Sequence, residues 1–134
     1  MLSGFLGGGY LNTVSGAKYS VLCGGYDNDL TGQASVIVGG EFNTITSTYG
    51  FIGGGNYNKL LGTSHYSVVV GGTSNDLSAS VHAFIGGGRT NAIDDSNDSV
   101  VVGGRHNAIC ASEHSFIGAG YNNETYSGSY NFIG

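Results

Sequence analysis

The 134-residue chain has no Pro and no Trp, one Met and two Cys, and only 10% of its residues are charged. A charged fraction under half the globular norm, beside 26 Gly without an every-third spacing, argues against an ordinary helical or mixed fold and against collagen. Four Lys or Arg against nine Asp or Glu give a net charge of −5, which argues against nucleic acid or an anionic membrane as the main partner. No run reaches the ~18 apolar residues of a membrane span, so no membrane insertion is expected. The N-terminus also lacks the basic region and continuous apolar stretch of a signal peptide. Disorder is disfavoured, because 40% of the residues are apolar and Val, Ile, Phe and Tyr are plentiful. What remains is a β-rich chain punctuated by glycine, read as a single domain over residues 1–134.

The punctuation is periodic. A Gly-Gly-x-x-Asn motif recurs eight times, with its Asn at Asn12, Asn28, Asn43, Asn58, Asn75, Asn91, Asn107 and Asn123. The glycine pairs are Gly8-Gly9, Gly24-Gly25, Gly39-Gly40, Gly54-Gly55, Gly71-Gly72, Gly87-Gly88 and Gly103-Gly104, and Ala119-Gly120 closes the series. Successive Asn residues are 16, 15, 15, 17, 16, 16 and 16 apart. A fixed period of this length is the mark of a repeat architecture. Two residues after each Asn stands an aliphatic residue, from Val14 to Ile109, with Thr125 the departure. The three residues before each glycine pair are Phe-x-Gly or Val-x-Val variants, and Phe132-Ile133-Gly134 starts a ninth copy. Short β-branched and aromatic runs bounded by Gly and Asn read as strands. Each period therefore holds one strand, a turn, a second short strand centred on the aliphatic residue, and a return rich in Ser, Thr, Gly and Asn. The fold class is an all-β solenoid of about eight coils.

Gly takes positive φ without steric cost and Asn tolerates it better than most residues, so the motif predicts a tight reversal at one place in every coil. Asn residues stacked one per coil are also placed to hydrogen-bond side chain to side chain. The middle strand column, Leu6, Leu22, Ile37, Ile52, Val69, Ile85, Val101, Ile117 and Ile133, is aliphatic throughout, and its neighbours two apart share the other face. That other face alternates Phe with Gly and Val with Val, with Cys23 once, the volume compensation that a close-packed repeated interior requires. Both faces being apolar, one of them would run along the stack as an exposed stripe, so a partner is expected. Homotrimerisation about a shared axis is the preferred solution, with end-to-end stacking of coils into a filament as the alternative. Cys23 and Cys110 fall about five coils apart, ~24 Å at strand spacing, too far for an intrachain disulfide.

Repeats such as Ser67-Val-Val-Val-Gly-Gly and Ser115-Phe-Ile-Gly-Ala-Gly resemble the left-handed β-roll repeats in the heads of YadA-like trimeric autotransporter adhesins and in phage or viral tail fibres. Adhesin heads commonly follow their glycine with Ala-rich turns, whereas this chain has Gly-Gly-x-x-Asn. The resemblance implies a homotrimeric, non-enzymatic segment of an extracellular, cell-surface or virion fibre that binds a glycan or protein receptor.

Candidate chemistry is sparse. Glycan cleavage of the tailspike kind needs paired carboxylates across a cleft, and the only acidic cluster is Asp94, Asp95 and Asp98 in one return loop. His82 and His114 share a column with Tyr19, Tyr49, Tyr66 and Tyr130 but lie two coils, or ~10 Å, apart. One chain cannot chelate a metal with both. The residue after each Asn runs Thr13, Asp29, Thr44, Lys59, Asp76, Ala92, Ala108, Glu124, which is no regular hydroxyl array for ice binding. No catalytic residue, metal site or cofactor is expected. Recognition belongs where the repeat varies, at the two residues between Gly-Gly and Asn. There Tyr10, Tyr26, Phe42, Tyr57, Arg89, Arg105, His106 and Tyr121 form the candidate ligand surface.

Overall fold

The computed structural model describes residues 4–134 and is a β-solenoid of about eight turns. Two parallel sheets run its length. The first has nine strands, from Phe5–Leu6 through Val68–Val69 to Phe132–Ile133; the second has eight, from Thr13–Val14 through Lys59–Leu61 to Glu124–Ser129. Each strand pairs in register with its equivalent one coil on: Phe51 with Val68, Ile52 with Val69, Leu60 with Leu77. At ~4.8 Å per strand, nine strands make a rod of ~38 Å.

The core is narrow and repetitive. The middle column of the first sheet and the aliphatic column of the second meet inside, and from Leu22 to Ile117 these residues are wholly buried. The Asn ladder closes one end of the cross-section. Asn58 donates from its backbone N–H to Asn43 Oδ1 (3.0 Å), and from Nδ2 to Asn43 Oδ1 (3.2 Å), Gly54 O (3.0 Å) and Gly72 O (2.9 Å). Its own Oδ1 accepts from the Asn75 backbone at 3.1 Å. The buried Asn side chain thus takes up backbone groups that the turn directs inward, away from water. Positive φ does not fall on Asn, as the motif had predicted for it. It falls on the residue before Asn, as at Phe42 (φ 55°) and Thr90 (φ 56°), and on the second glycine, as at Gly55 (φ 88°). A Cβ on Gly55 would stand 2.2 Å from Gly72 O of the next coil, so close stacking requires glycine there as well.

Two further columns, mostly Ser, fill the return. Ser35 Oγ donates to Ser47 O at 3.0 Å and accepts from Gly50 N at 2.9 Å; Ser67 does the same with Ser80 O (2.8 Å) and Ala83 N (3.0 Å). These buried hydroxyls supply the backbone partners that a return too irregular for a sheet lacks. Variation in coil length is absorbed at the corner after the second strand. Coils of 16 residues place one left-handed residue there, such as Ala79 or Ala111, and the 15-residue coils omit it.

The alternating Phe-Gly and Val-Val columns do not pack an interior. They face outward on the first sheet, where Phe5, Val38, Val70, Val102 and Phe132 are exposed. Volume compensation serves a different end there. A ring carbon of Phe51 lies 3.3 Å from where a Cβ on Gly53 would stand, so the ring lies over its own glycine. The outer face is thereby kept level between Phe coils and Val coils.

Candidate functional site: the turn ridge

The residues between Gly-Gly and Asn form a continuous ridge, because the first of each pair makes a parallel bridge to its equivalent one coil on, from Tyr10–Tyr26 to Arg105–Tyr121. The second is held in the left-handed region, from Leu11 to Asn122. All eight sequence-predicted ligand residues lie on this ridge, and all but the half-buried Phe42 are exposed.

The ridge has two halves of different chemistry. In the first, Tyr10 stacks on Tyr26 (centroids 5.7 Å apart), Tyr26 meets Phe42 edge-on (5.4 Å), and Phe42 stacks on Tyr57 at 4.6 Å and 7°. Such contacts rigidify each ring through its neighbours. In the second half, Arg89 and Arg105 are in register one coil apart. Arg105 lies 4.7 Å over the Tyr121 ring, and His106 meets Tyr121 edge-on at 5.9 Å. Among the described residues neither guanidinium has a carboxylate within salt-bridge distance.

No protein-family model matches the chain, and no curated protein matches it. The site is therefore read from its own geometry.

The histidine column runs along a different corner of the coil, eight residues of which the structure places in positive φ, Tyr19 through Tyr130. Tyr49 stacks on Tyr66 at 4.6 Å, Tyr66 lies 5.4 Å from His82, and His114 stacks on Tyr130 at 5.0 Å. Asp98 fills the coil between the histidines. Its Oδ1 is 3.2 Å from His82 Nδ1 and its Oδ2 is 3.7 Å from His114 Nε2. The sequence carried the signal, since Asp98 stands nine residues before Asn107 as the histidines stand before theirs. The acidic cluster is accordingly dispersed: Asp94 instead accepts from Ser78 Oγ at 2.6 Å on the second sheet. Among the described residues no three His, Cys, Asp or Glu side chains converge as metal ligands.

Cys23 is exposed on the outer face of the first sheet, and Cys110 is half-buried on that of the second, both as free thiols. Burial, and after it the charges of Asp94 and Glu124, push the Cys110 thiol above its ordinary pKa. At the foot of the ridge, where it meets the second sheet, lies a cleft that sequence reading missed, lined by Tyr57, Lys59, Ser74 and Asp76. Lys59 and Asp76 each follow a motif Asn, and nothing in their spacing marks the cleft.

Proposed function

We propose that the chain is a structural and adhesive repeat segment of an extracellular surface or tail fibre, similar to the head repeats of YadA-like trimeric adhesins. It works as a rigid, non-enzymatic rod. Homotrimerisation joins three copies through the outer face of the first sheet, and the turn ridge recognises a cell-surface glycan or protein.

The observation that carries this reading is the outer face of the first sheet. Nine strands present Phe, Val, Gly and one Cys there, with no hydrogen-bonding side chain apart from the Cys23 thiol. The stripe is ~38 Å long and three residues, ~10 Å, wide. Its plan area of ~400 Å² matches the largest apolar patch of an ordinary soluble monomer, a kind of patch that is often functional. The stripe runs parallel to the rod and is level, so identical copies side by side bury it along their whole length. The ridge and the second sheet stay in solvent in that arrangement, available to a receptor.

Sedimentation equilibrium over a wide concentration range tests the assembly. The expected mass is three times the 13.7 kDa of one chain at all concentrations. Growth of mass with concentration would replace the trimer by an end-to-end filament. A stable monomer would refute the interface.

A further inference from the structure

The cleft at the foot of the ridge, about 280 Å³ in volume, exists because an aromatic ladder stops. Phe42 covers one face of Tyr57 with nearly parallel rings. One coil further on, the equivalent position is Ser74. A rung is missing, and the second face of Tyr57 is left open above a small hydroxyl; the residue is 48% exposed.

The floor of the cleft is polar. Lys59 and Asp76 pair in register on neighbouring strands of the second sheet, yet no ion pair joins them among the described residues. Asp76 Oδ1 is buried with no hydrogen-bond partner. Burial pushes the Asp76 carboxyl above its ordinary value, with Lys59 opposing and Asp94 adding to the shift. Sealed from solvent, Oδ1 is closed to a ligand as well; Oδ2, which is not buried in this way and has no hydrogen bond among the described residues, is the oxygen left to accept donors at the cleft. Asp29 in the same column also leaves Oδ1 unpartnered, but the residues one coil before it are Leu11 and Thr13, which offer neither a free tyrosine face nor an ammonium.

The ligand that fits is flat, apolar on its face and hydroxylated around its edge. Lys59 and Asp76 balance in charge, so the cleft selects neither an anion nor a cation. Its volume lies just below the ~300–1,000 Å³ of sites for drug-sized molecules, room for a single ring. We propose that this cleft is a subsite for one neutral pyranose, stacked on the open face of Tyr57 with hydroxyls donating to Asp76 and accepting from Lys59. The proposal rests on the reading of the ridge as a recognition surface and narrows it to one ligand class.

Saturation-transfer NMR tests it with the methyl glycosides of glucose, galactose, mannose and N-acetylglucosamine at millimolar concentration, and with the methyl glycoside of N-acetylneuraminic acid as an anionic counterpart. The expected result is transfer to the ring C–H protons of at least one neutral glycoside. That transfer should fall at least fivefold in Tyr57→Ala and in Asp76→Ala and be unchanged in Arg105→Gln. Ser74→Tyr, which supplies the missing rung and fills the cleft, should abolish it while the thermal unfolding midpoint does not fall. Transfer only to the anionic glycoside, lost in Arg105→Gln, would overturn the cleft and leave ridge recognition standing. Transfer to neutral glycosides that survives in Tyr57→Ala and Asp76→Ala would overturn the cleft in the same way. No transfer to any of the five would overturn the cleft together with glycan recognition by the ridge.

Discussion

The two sheets of the solenoid are alike inside and unlike outside. Inward, each contributes one aliphatic residue per coil, Ile85 in the first sheet and Leu77 in the second, both wholly buried. Outward, the first sheet carries Phe, Val and Gly, while the second carries Thr13, Asp29, Lys59, Asp76, Ser78, Asp94 and Glu124 among others. The interior is what a coil needs to stack on its neighbour, and both sheets meet that need with the same residue types. The outer surfaces are free of it. Their divergence therefore separates a polar side at the second sheet from an apolar side at the first, the side proposed above as the assembly face.

The sharpest break in the comparison comes from the inside, where the sheets should respond equally. Ile85→Asp and Leu77→Asp each bury a carboxylate without a partner, and each is expected to cost more than ~4 kcal/mol, enough to abolish cooperative thermal unfolding followed by circular dichroism. If one variant folded normally, the inward facing of that sheet would be wrong. Moved outside, the same change should separate the sheets. Val70→Asp on the exposed first-sheet face should dissociate the assembly into folded monomers by light scattering. Ser15→Asp, exposed just past the Thr13–Val14 strand of the second sheet, should leave the mass unchanged and shift stability by no more than ~0.5 kcal/mol.

Smaller effects refine the contrast. Thr125 replaces the aliphatic residue in the last coil of the second sheet and is buried with its Oγ1 unpartnered. Thr125→Val should raise stability by ~1–2 kcal/mol in urea titration, because it removes an unsatisfied hydroxyl at nearly constant shape. At the polar outer face, the raised Asp76 pKa has a signed consequence. The folded state holds the Asp76 proton more tightly than the unfolded chain, so this group favours folding as pH falls through its raised folded value toward the ordinary 3.8. The wild-type chain should gain stability over that window relative to Asp76→Asn when both are unfolded in urea at stepped pH. An equal pH profile in the two would contradict the burial of the carboxyl.

Much of this was legible in the sequence, and the limits are instructive. The Asn register fixed both strands and the inward column, since Leu30, Ile45 and their equivalents stand two residues after an Asn whatever the coil length. The Ser column that includes Ser35, Ser67, Ser99 and Ser115 also keeps a constant offset, eight residues before Asn. It went unread because Gly50 and Ala83 interrupt it and because Ser is ordinarily a surface residue. The Ser47 and Ser80 column is likewise constant, eleven residues before the following Asn, and is blurred only when counted from the preceding Asn, across the corner where coil length varies. Which apolar face of the first sheet turns outward could not be read from alternation alone, since period two is the same for either choice. The ridge was found by its variability. The cleft was not, because it depends on the absence of a ring at Ser74 and not on any residue that announces itself.

The two cysteines allow the central claim to be tested directly, since they report on the two outer faces. Cys23 is exposed on the first sheet in the single chain and Cys110 sits on the second. The measurement is the rate of alkylation of each thiol, read by mass spectrometry, in the wild-type chain and in Val70→Asp. If the first-sheet face is the assembly interface, Cys23 reacts at least tenfold more slowly in the wild type than in Val70→Asp, while Cys110 reacts at the same rate in both. Equal Cys23 rates in the two proteins would mean that the apolar face is open to solvent and that the rod does not assemble through it.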